Sequence, residues 1–160
     1  MNDMTAHAVP YMERSRLYYE AQGFEKPYVW ATHEEVPLAP LARALADCTL
    51  TVITTASLCE RLPLKPRSVT SGETANMPER LYANDLSWDK EATHLEDLNS
   101  YFPIDHLNAL ADSGRIGALA RRFHCAPTEY SQRKTNEADA PDILARCQED
   151  GVDIALLIPL

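Results

Sequence analysis

Hydrophobic and polar positions along the chain form blocks that predict helices and strands in turn. The first block lies between Pro10 and Gly23, which suit the first turn of a helix and the position just beyond its end. Within this block Tyr11 and Tyr18 share one helical face. We expect the aromatic stripe to be a packing face, with a docking surface for a partner as the alternative.

The next blocks predict irregular structure. Three prolines between positions 27 and 40 forbid regular helix and predict an extended arm. A short helical run is expected from Leu41 to Ala46. Residues 60–80 contain prolines, a glycine and several hydroxyl residues, which predicts a long loop.

Between these segments, Leu50–Thr55 is rich in β-branched residues and predicts a buried strand. Thr54 and Thr55 stand at its carboxyl end. In open α/β sheets ligands bind beyond that end of the strands, so both hydroxyls are candidate ligand contacts. The alternative is that they are ordinary strand residues.

Two further units follow the same alternation. Pro103 opens a helix that runs through Ala111, with Gly114 just beyond its end, and Ile116–Leu119 predicts a short buried strand. Residues 139–142 supply acids and a proline for the start of a last helix, which Gly151 closes.

We expect three residues of this last helix to form its buried face, namely Ile143, Leu144 and Cys147. The apolar run Val152–Ile158 predicts a parallel strand covered on both faces. Together the units predict an α/β fold, a three-layer sandwich with a mainly parallel sheet. We expect residues 1–35 to form an N-terminal helix and arm, and residues 36–160 to form the α/β domain.

Composition excludes several classes of protein. The 160 residues are 45% hydrophobic and 24% charged, which is typical of a globular domain, and the net charge is −9. Such a charge repels phosphates and anionic lipids, so we expect no nucleic-acid and no membrane partner. The polar N-terminus lacks the features of a secretory signal, and we expect a cytoplasmic protein.

Motifs with known chemistry are absent from the sequence. It contains no phosphate-binding loop, no nucleophile elbow and no Cys-x-x-Cys pair, and the four cysteines are expected to be buried and reduced. His124 and Cys125 are adjacent, but neighbours in a strand point to opposite faces, so they are weak candidates for a thiolate and its base. The histidines are too scattered to predict a metal site.

Three stretches nevertheless resemble the selenoprotein B family of glycine, sarcosine, betaine and D-proline reductases. The similar segments are Leu50–Ala56, Asp97–Leu107 with its continuation through Gly117, and Gly151–Leu157. Ser57 departs from the family pattern, which has glycine there. In this family the strand matching Val152–Ile158 leads into a Sec/Cys-x-x-Cys-His motif. We therefore expect this chain to be the N-terminal part of a reductase-like protein, truncated at or just before its redox residue.

The resemblance implies reductive cleavage of a carbon–nitrogen bond in an amino acid or related amine. It implies a partner subunit that carries a pyruvoyl group, whereas this chain would hold no cofactor and no catalytic residue. Its contribution would be the wall of the site, with Thr54, Thr55, Asp97 and Asn99 as candidate substrate contacts. For Asp97 and Asn99, capping of local backbone is the alternative.

Two other functions stay open on the sequence alone. One is a non-catalytic interaction module that binds a protein through the tyrosine-rich helix and the arm after it. The other is a thiol-based redox protein that uses Cys59 or Cys125. A homo-oligomer is an alternative to the pyruvoyl partner, because a cut parallel sheet leaves a strand edge open.

Overall fold

A computed structural model describes residues 10–26, 29–61, 66–83, 91, 94–128 and 131–160. The chain divides into two compact units, Met1–Leu38 and Ala39–Leu160. Among the described residues, every helix is too short or too polar to cross a membrane.

The first unit contains helix α1, Tyr11–Ala21, which ends before Gly23 as the sequence predicts. Gly23 has a φ of +85°, a left-handed conformation that favours glycine. The prediction that the aromatic stripe forms a packing face is wrong, because no side chain of α1 is buried and Tyr11 is 73% exposed. The contacts of the helix are local, and they include ion pairs from Arg16 to Glu13 and Glu20.

The second unit is built on a five-stranded sheet. The strands are β1 (Thr49–Thr54), β2 (Thr70–Glu73), β3 (Ala118–Leu119), β4 (Arg122–Cys125) and β5 (Ile154–Ile158). β1 is central and runs parallel to β3, β4 and β5, while β2 pairs antiparallel with β4. β3 and β4 pair with successive parts of β1 along one side, and β5 pairs along the other side.

Helices cover both faces of the sheet. The main core lies on one face, where Ile104 and Leu107 of α2 (Ile104–Asp112) pack with Phe123 of β4. On the other face, Ile143 and Cys147 of the last helix pack with Val69 and Ile53. This last helix begins with α3 (Gln132–Lys134), continues as a π-helical segment (Thr135–Asp139) and ends as α4 (Ala140–Glu149). The predicted α/β fold with a mainly parallel sheet is confirmed.

Two glycines permit close approach between strands and their neighbours. A Cβ on Gly72 would lie 2.4 Å from the ring of Phe123, which stands opposite it on β4. A Cβ on Gly117 would lie 2.8 Å from the backbone of Asp47. Gly117 therefore lets the chain pass tightly beside the segment that enters β1.

Several predicted elements differ from the structure. The helical run at Leu41–Ala46 is only a 3₁₀ turn at Leu45–Asp47, and residues 60–80 contain β2, because pairing with β4 overrides their loop-like composition. The predicted strand Ile116–Leu119 shrinks to β3. β4 was not predicted from the sequence.

The last two elements also differ in burial. Leu144 is 57% exposed, because Ile143 and Cys147 one turn apart already fill the contact with the sheet. β5 is not covered on both faces: Ile154, Leu156 and Ile158 pack towards the main core, while Leu157 is 68% exposed. Its burial alternates as in a strand with one open face.

Candidate functional site

The carboxyl ends of the parallel strands meet at one edge of the sheet. Here Thr54 of β1 pairs with Cys125 of β4 and Ile158 of β5, and Thr70 at the start of β2 pairs with Cys125. These four residues form one row across the sheet, with neighbouring strands about 4.8 Å apart. We call this row, with Thr55 beside it, the carboxyl edge.

Thr54 is buried at the carboxyl edge and its hydrogen bonds are local. Its hydroxyl oxygen accepts from the Ala56 N–H at 3.1 Å, and its carbonyl accepts from the Ala126 N–H at 2.8 Å. This residue turns the chain at the end of β1 and links it to the segment after β4.

Thr55 is half-buried and closer to solvent. Its hydroxyl oxygen accepts from the Leu160 N–H at 2.8 Å, and its carbonyl accepts from the Thr128 hydroxyl at 3.4 Å. Of the two threonines predicted to line a site, Thr55 is therefore the one whose side chain reaches beyond the core.

Asp97 and Asn99 cap the backbone ahead of α2. The Asp97 carboxylate accepts from the Asn99 N–H at 3.0 Å. The Asn99 side chain accepts from the Asp105 N–H at 3.0 Å and donates to the Asp105 carboxylate at 2.7 Å. Among the described residues, no hydrogen bond joins this cap to Thr54 or Thr55, and as substrate contacts all four residues stay predictions.

The cysteines are free, and Cys48, Cys125 and Cys147 are buried. Burial raises the pKa of the Cys125 thiol to about 12, although the Thr70 side chain and the Leu58 backbone offset part of that effect. Near neutral pH the Cys125 side chain is therefore a thiol and not a thiolate, and a thiol is a poor nucleophile.

A chain of hydrogen-bonded polar side chains, not predicted from the sequence, lies on the face of β4 opposite Cys125. His124 is 0% exposed, and its Nδ1 lies 2.8 Å from the Ser71 hydroxyl. Arg146 donates to that hydroxyl at 2.8 Å and to the Asp142 carboxylate at 2.9 and 3.0 Å. The chain Asp142–Arg146–Ser71–His124 joins α4 to β2 and β4.

The surroundings of His124 favour its neutral form, because they lower its pKa. Burial lowers its pKa first, and the nearby cations Arg122 and Arg146 lower it further. Its Nε2 is buried and has no hydrogen-bond partner among the described residues. No periodicity could reveal this arrangement, because its members come from three elements that only the fold brings together.

Ion pairs of Arg122 and Arg67 join the last helix to the sheet and its loops. Arg122 of β4 donates to Asp150 at 2.7 and 3.0 Å, which lowers the pKa of the Asp150 carboxyl. Arg67 donates through both terminal nitrogens to the buried carboxylate of Asp139. Because Arg67 precedes Thr70, this second pair lies beyond the carboxyl edge.

Within the described ranges, no group of three histidine, cysteine or carboxylate side chains is placed to hold a metal ion. The carboxyl edge offers hydroxyl and backbone groups. These groups are suited to orient a polar ligand, and Cys125 is not suited to attack one.

The fold and this edge define an α/β protein whose candidate site lies beyond the parallel strands. The chain is 27% identical over 124 residues to the D-proline reductase subunit gamma of Acetoanaerobium sticklandii, which supports a distant relationship to that subunit. The match covers 74% of this chain and 51% of the relative, so the chain spans about half the length of the curated relative it matches. No protein-family model and no solved structure gives a significant match.

Proposed function

We propose that this chain belongs to a reductase that cleaves a carbon–nitrogen bond of an amino acid or related amine. The similarity to a D-proline reductase subunit over 124 residues carries the proposal. A sheet whose parallel strands end at one edge supports it, because such edges bind ligands in α/β proteins.

The role of this chain is to shape the binding site and not to supply the attacking atom. Cys125 stands at the carboxyl edge, but its pKa of about 12 makes it a poor nucleophile. The nucleophile, a selenol or thiol of a Sec/Cys-x-x-Cys-His motif, comes from polypeptide outside this sequence. A pyruvoyl group on a partner subunit would make the amine a better leaving group.

The described residues contribute hydrogen-bonding groups at the edge. The Thr55 hydroxyl accepts one hydrogen bond in this structure and still has a proton to donate. In the proposed site that proton is directed at a polar group of the substrate. Thr54 has a positioning role, since its buried hydroxyl holds the turn after β1.

Purification of the native complex from its source tests the proposal. The chain, tagged at its N-terminus, is isolated with its partners, and the complex is supplied with a dithiol and D-proline or other cyclic and acyclic amines. We expect dithiol-dependent consumption of an amine, together with a partner that reacts with a carbonyl reagent. A pure complex with neither property contradicts the proposal.

A conservative series at Thr55 then tests the role of its hydroxyl. Thr55→Ser keeps the hydroxyl and is expected to retain KM, whereas Thr55→Val removes it and is expected to raise KM about tenfold. Thr128→Val, which removes only a bond to the Thr55 carbonyl, is the matched control. Equal KM values for Thr55→Val and Thr55→Ser would show that the Thr55 hydroxyl does not contact the substrate.

The exposed helix α1 favours a second candidate, a non-catalytic interaction module. Tyr11 and Tyr18 are 73% and 60% exposed, and tyrosine is enriched at protein interfaces. Under this alternative the native complex contains a partner but reduces no amine. Substituting both tyrosines with serine would then release the partner.

A further inference from the structure

His124 is a buried titratable group that the proposed function does not use. It is 0% exposed and stands directly opposite Ser71 in the antiparallel pairing of β2 and β4. Its Nδ1 lies 2.8 Å from the Ser71 hydroxyl, and Arg146 of α4 donates to the same hydroxyl at 2.8 Å. The Ser71 oxygen is therefore the point at which β2, β4 and the last helix are joined by hydrogen bonds.

One direction of these hydrogen bonds uses every group around the Ser71 oxygen. A guanidinium only donates, so the Ser71 oxygen accepts from Arg146. The Ser71 hydroxyl then donates its own proton to Nδ1 of His124, which accepts when the imidazole is neutral. The ring proton lies on Nε2, which is buried and has no hydrogen-bond partner among the described residues. This arrangement exists only while His124 is neutral.

A second proton on the ring reverses the bond to Ser71. Nδ1 of His124 then donates, so the Ser71 oxygen accepts from two cations, and the hydroxyl proton loses its acceptor. Nε2 remains a donor with no acceptor in the described part of the chain. A buried charge whose donors are not all paired is costly in free energy. Protonation therefore weakens the contact between β4 and the last helix.

The charged groups around His124 do not remove this cost. Burial and the cations Arg122 and Arg146 disfavour a charged ring, whereas the carboxylates Asp142 and Asp150 favour it. Each of these carboxylates is already paired with a cation, Asp142 with Arg146 and Asp150 with Arg122. The net effect lowers the pKa of His124.

Opening of the last helix would expose the ring to water. The helix packs on the sheet through Ile143 and Cys147, which contact Val69 and Ile53. In the described part of the chain, this core is smaller than the main core on the other face of the sheet. Elements with few buried apolar contacts separate at a lower free energy than the fold as a whole. The last helix is therefore the element around His124 that opens most readily.

We propose that protonation of His124 releases the last helix from the sheet, so that this face of the fold opens at mildly acidic pH. The closed form holds the ring neutral, and the opened form takes up one proton. Asp139, in the same helix, accepts from Arg67 ahead of β2. Opening therefore also frees the segment that enters β2.

Hydrogen–deuterium exchange of the full chain at pH 7.5 and 5.5 tests the release. Each exchange rate is divided into the intrinsic rate at the same pH, which gives a protection factor. The ordinary pKa of histidine is 6.5, so the population of the opened form should rise about tenfold between the two pH values. We expect the protection of Ala140–Glu149 to fall about tenfold and to lie below that of Thr49–Thr54 at pH 5.5.

Two results with the wild-type chain would overturn the proposal. One is a protection of α4 that is the same at both pH values. The other is equal protection of α4 and β1 at pH 5.5, which would show that the helix separates only when the whole fold unfolds.

Substitution of His124 tests whether this residue is the group that titrates. His124→Gln keeps a polar side chain that does not titrate, and we expect it to abolish the fall in α4 protection. His106→Gln, at an exposed position of α2, is the matched control and should retain the fall. A fall that persists in His124→Gln would assign the release to another group and overturn the proposal.

Substitution of Ser71 tests the contact itself in a chain that keeps His124. Ser71→Ala removes the hydroxyl between Arg146 and His124, so α4 protection should drop about three- to tenfold at pH 7.5, and the further fall at pH 5.5 should remain. Ser113→Ala, whose hydroxyl donates to a carbonyl of α2, should leave α4 unchanged. Unchanged α4 protection in Ser71→Ala at pH 7.5 would contradict the proposal. None of these results depends on whether the chain belongs to a reductase.

Discussion

At the scale of single residues, position 72 requires glycine because an aromatic ring lies over it. Phe123 is 1% exposed and packs edge-on against Phe102, with ring centroids 5.0 Å apart. Because the ring is tightly packed, a methyl group at position 72 can be accommodated only by a shift that strains the core. We expect Gly72→Ala to lower the free energy of unfolding by about 1–3 kcal/mol, measured by urea denaturation.

A double-mutant cycle checks the cause. Phe123→Leu leaves space above position 72, so Gly72→Ala should cost much less in that background. If the two changes add independently, the ring is not the reason for the glycine.

His124 makes stability depend on pH in a definite direction. Its ordinary pKa is 6.5, and burial with the cations Arg122 and Arg146 lowers that value, although Asp142 and Asp150 oppose them. The unfolded chain therefore binds a proton at a higher pH than the folded chain does. Stability falls as the pH drops below about 6.5 and is retained above it.

Urea unfolding at pH 7.5 and 5.5 measures this dependence. His124→Gln is expected to reduce the loss of stability between the two pH values, whereas His106→Gln, at an exposed position of α2, should leave it unchanged. A dependence that is the same in both variants would assign the acid sensitivity to other groups.

At the scale of elements, the start of α2 depends on the reciprocal contact between Asn99 and Asp105. Both polar groups of the Asn99 side chain are used, one with the Asp105 N–H and one with its carboxylate. We expect Asn99→Ala to lower the unfolding free energy by about 1 kcal/mol. His106→Ala, on the exposed face of the same helix, should have little effect on thermal unfolding.

The same variant separates capping from substrate contact. A capping role changes stability and leaves the KM of the folded enzyme unchanged. A higher KM with unchanged stability would show that Asn99 contacts the substrate instead.

Element ends were predicted where proline and glycine fix the backbone. Pro103 precedes α2, and Gly114 and Gly151 have positive φ beyond their helices. β4 was missed, because Arg122 and His124 interrupt its apolar pattern, and their burial depends on partners that lie far away in sequence. Local composition carries no information about such partners.

At the scale of the whole molecule, β5 presents an apolar open face. Leu157 is 68% exposed on a strand that, among the described residues, pairs only with β1. Exposed apolar strand edges promote association between chains. We expect concentration-dependent self-association in light scattering, and Leu157→Lys should reduce it without lowering thermal stability.

The neighbouring residue, Leu156, serves as the comparison for the substitution at Leu157. Leu156 packs against the main core, so Leu156→Lys should lower thermal stability. If both lysine variants destabilise the protein equally, the open face is covered in solution.

The fold class and the position of Thr54 and Thr55 at a strand end followed from the sequence, because hydrophobic period and strand length are local properties. The polar chain through His124 could not be predicted in this way, since it depends on which strands and helices become neighbours in the fold.

The position of β1 in the middle of the sheet has a consequence for how the protein folds. The Thr49 N–H donates to the carboxylate of Asp153, 104 positions further along the chain, and the Thr51 hydroxyl donates to the Arg122 carbonyl 71 positions away. Such distant pairings form slowly, because long loops must close before any contact compensates the lost entropy. During synthesis the apolar side chains of β1 therefore stay exposed until β4 and β5, its neighbours in the sheet, have left the ribosome.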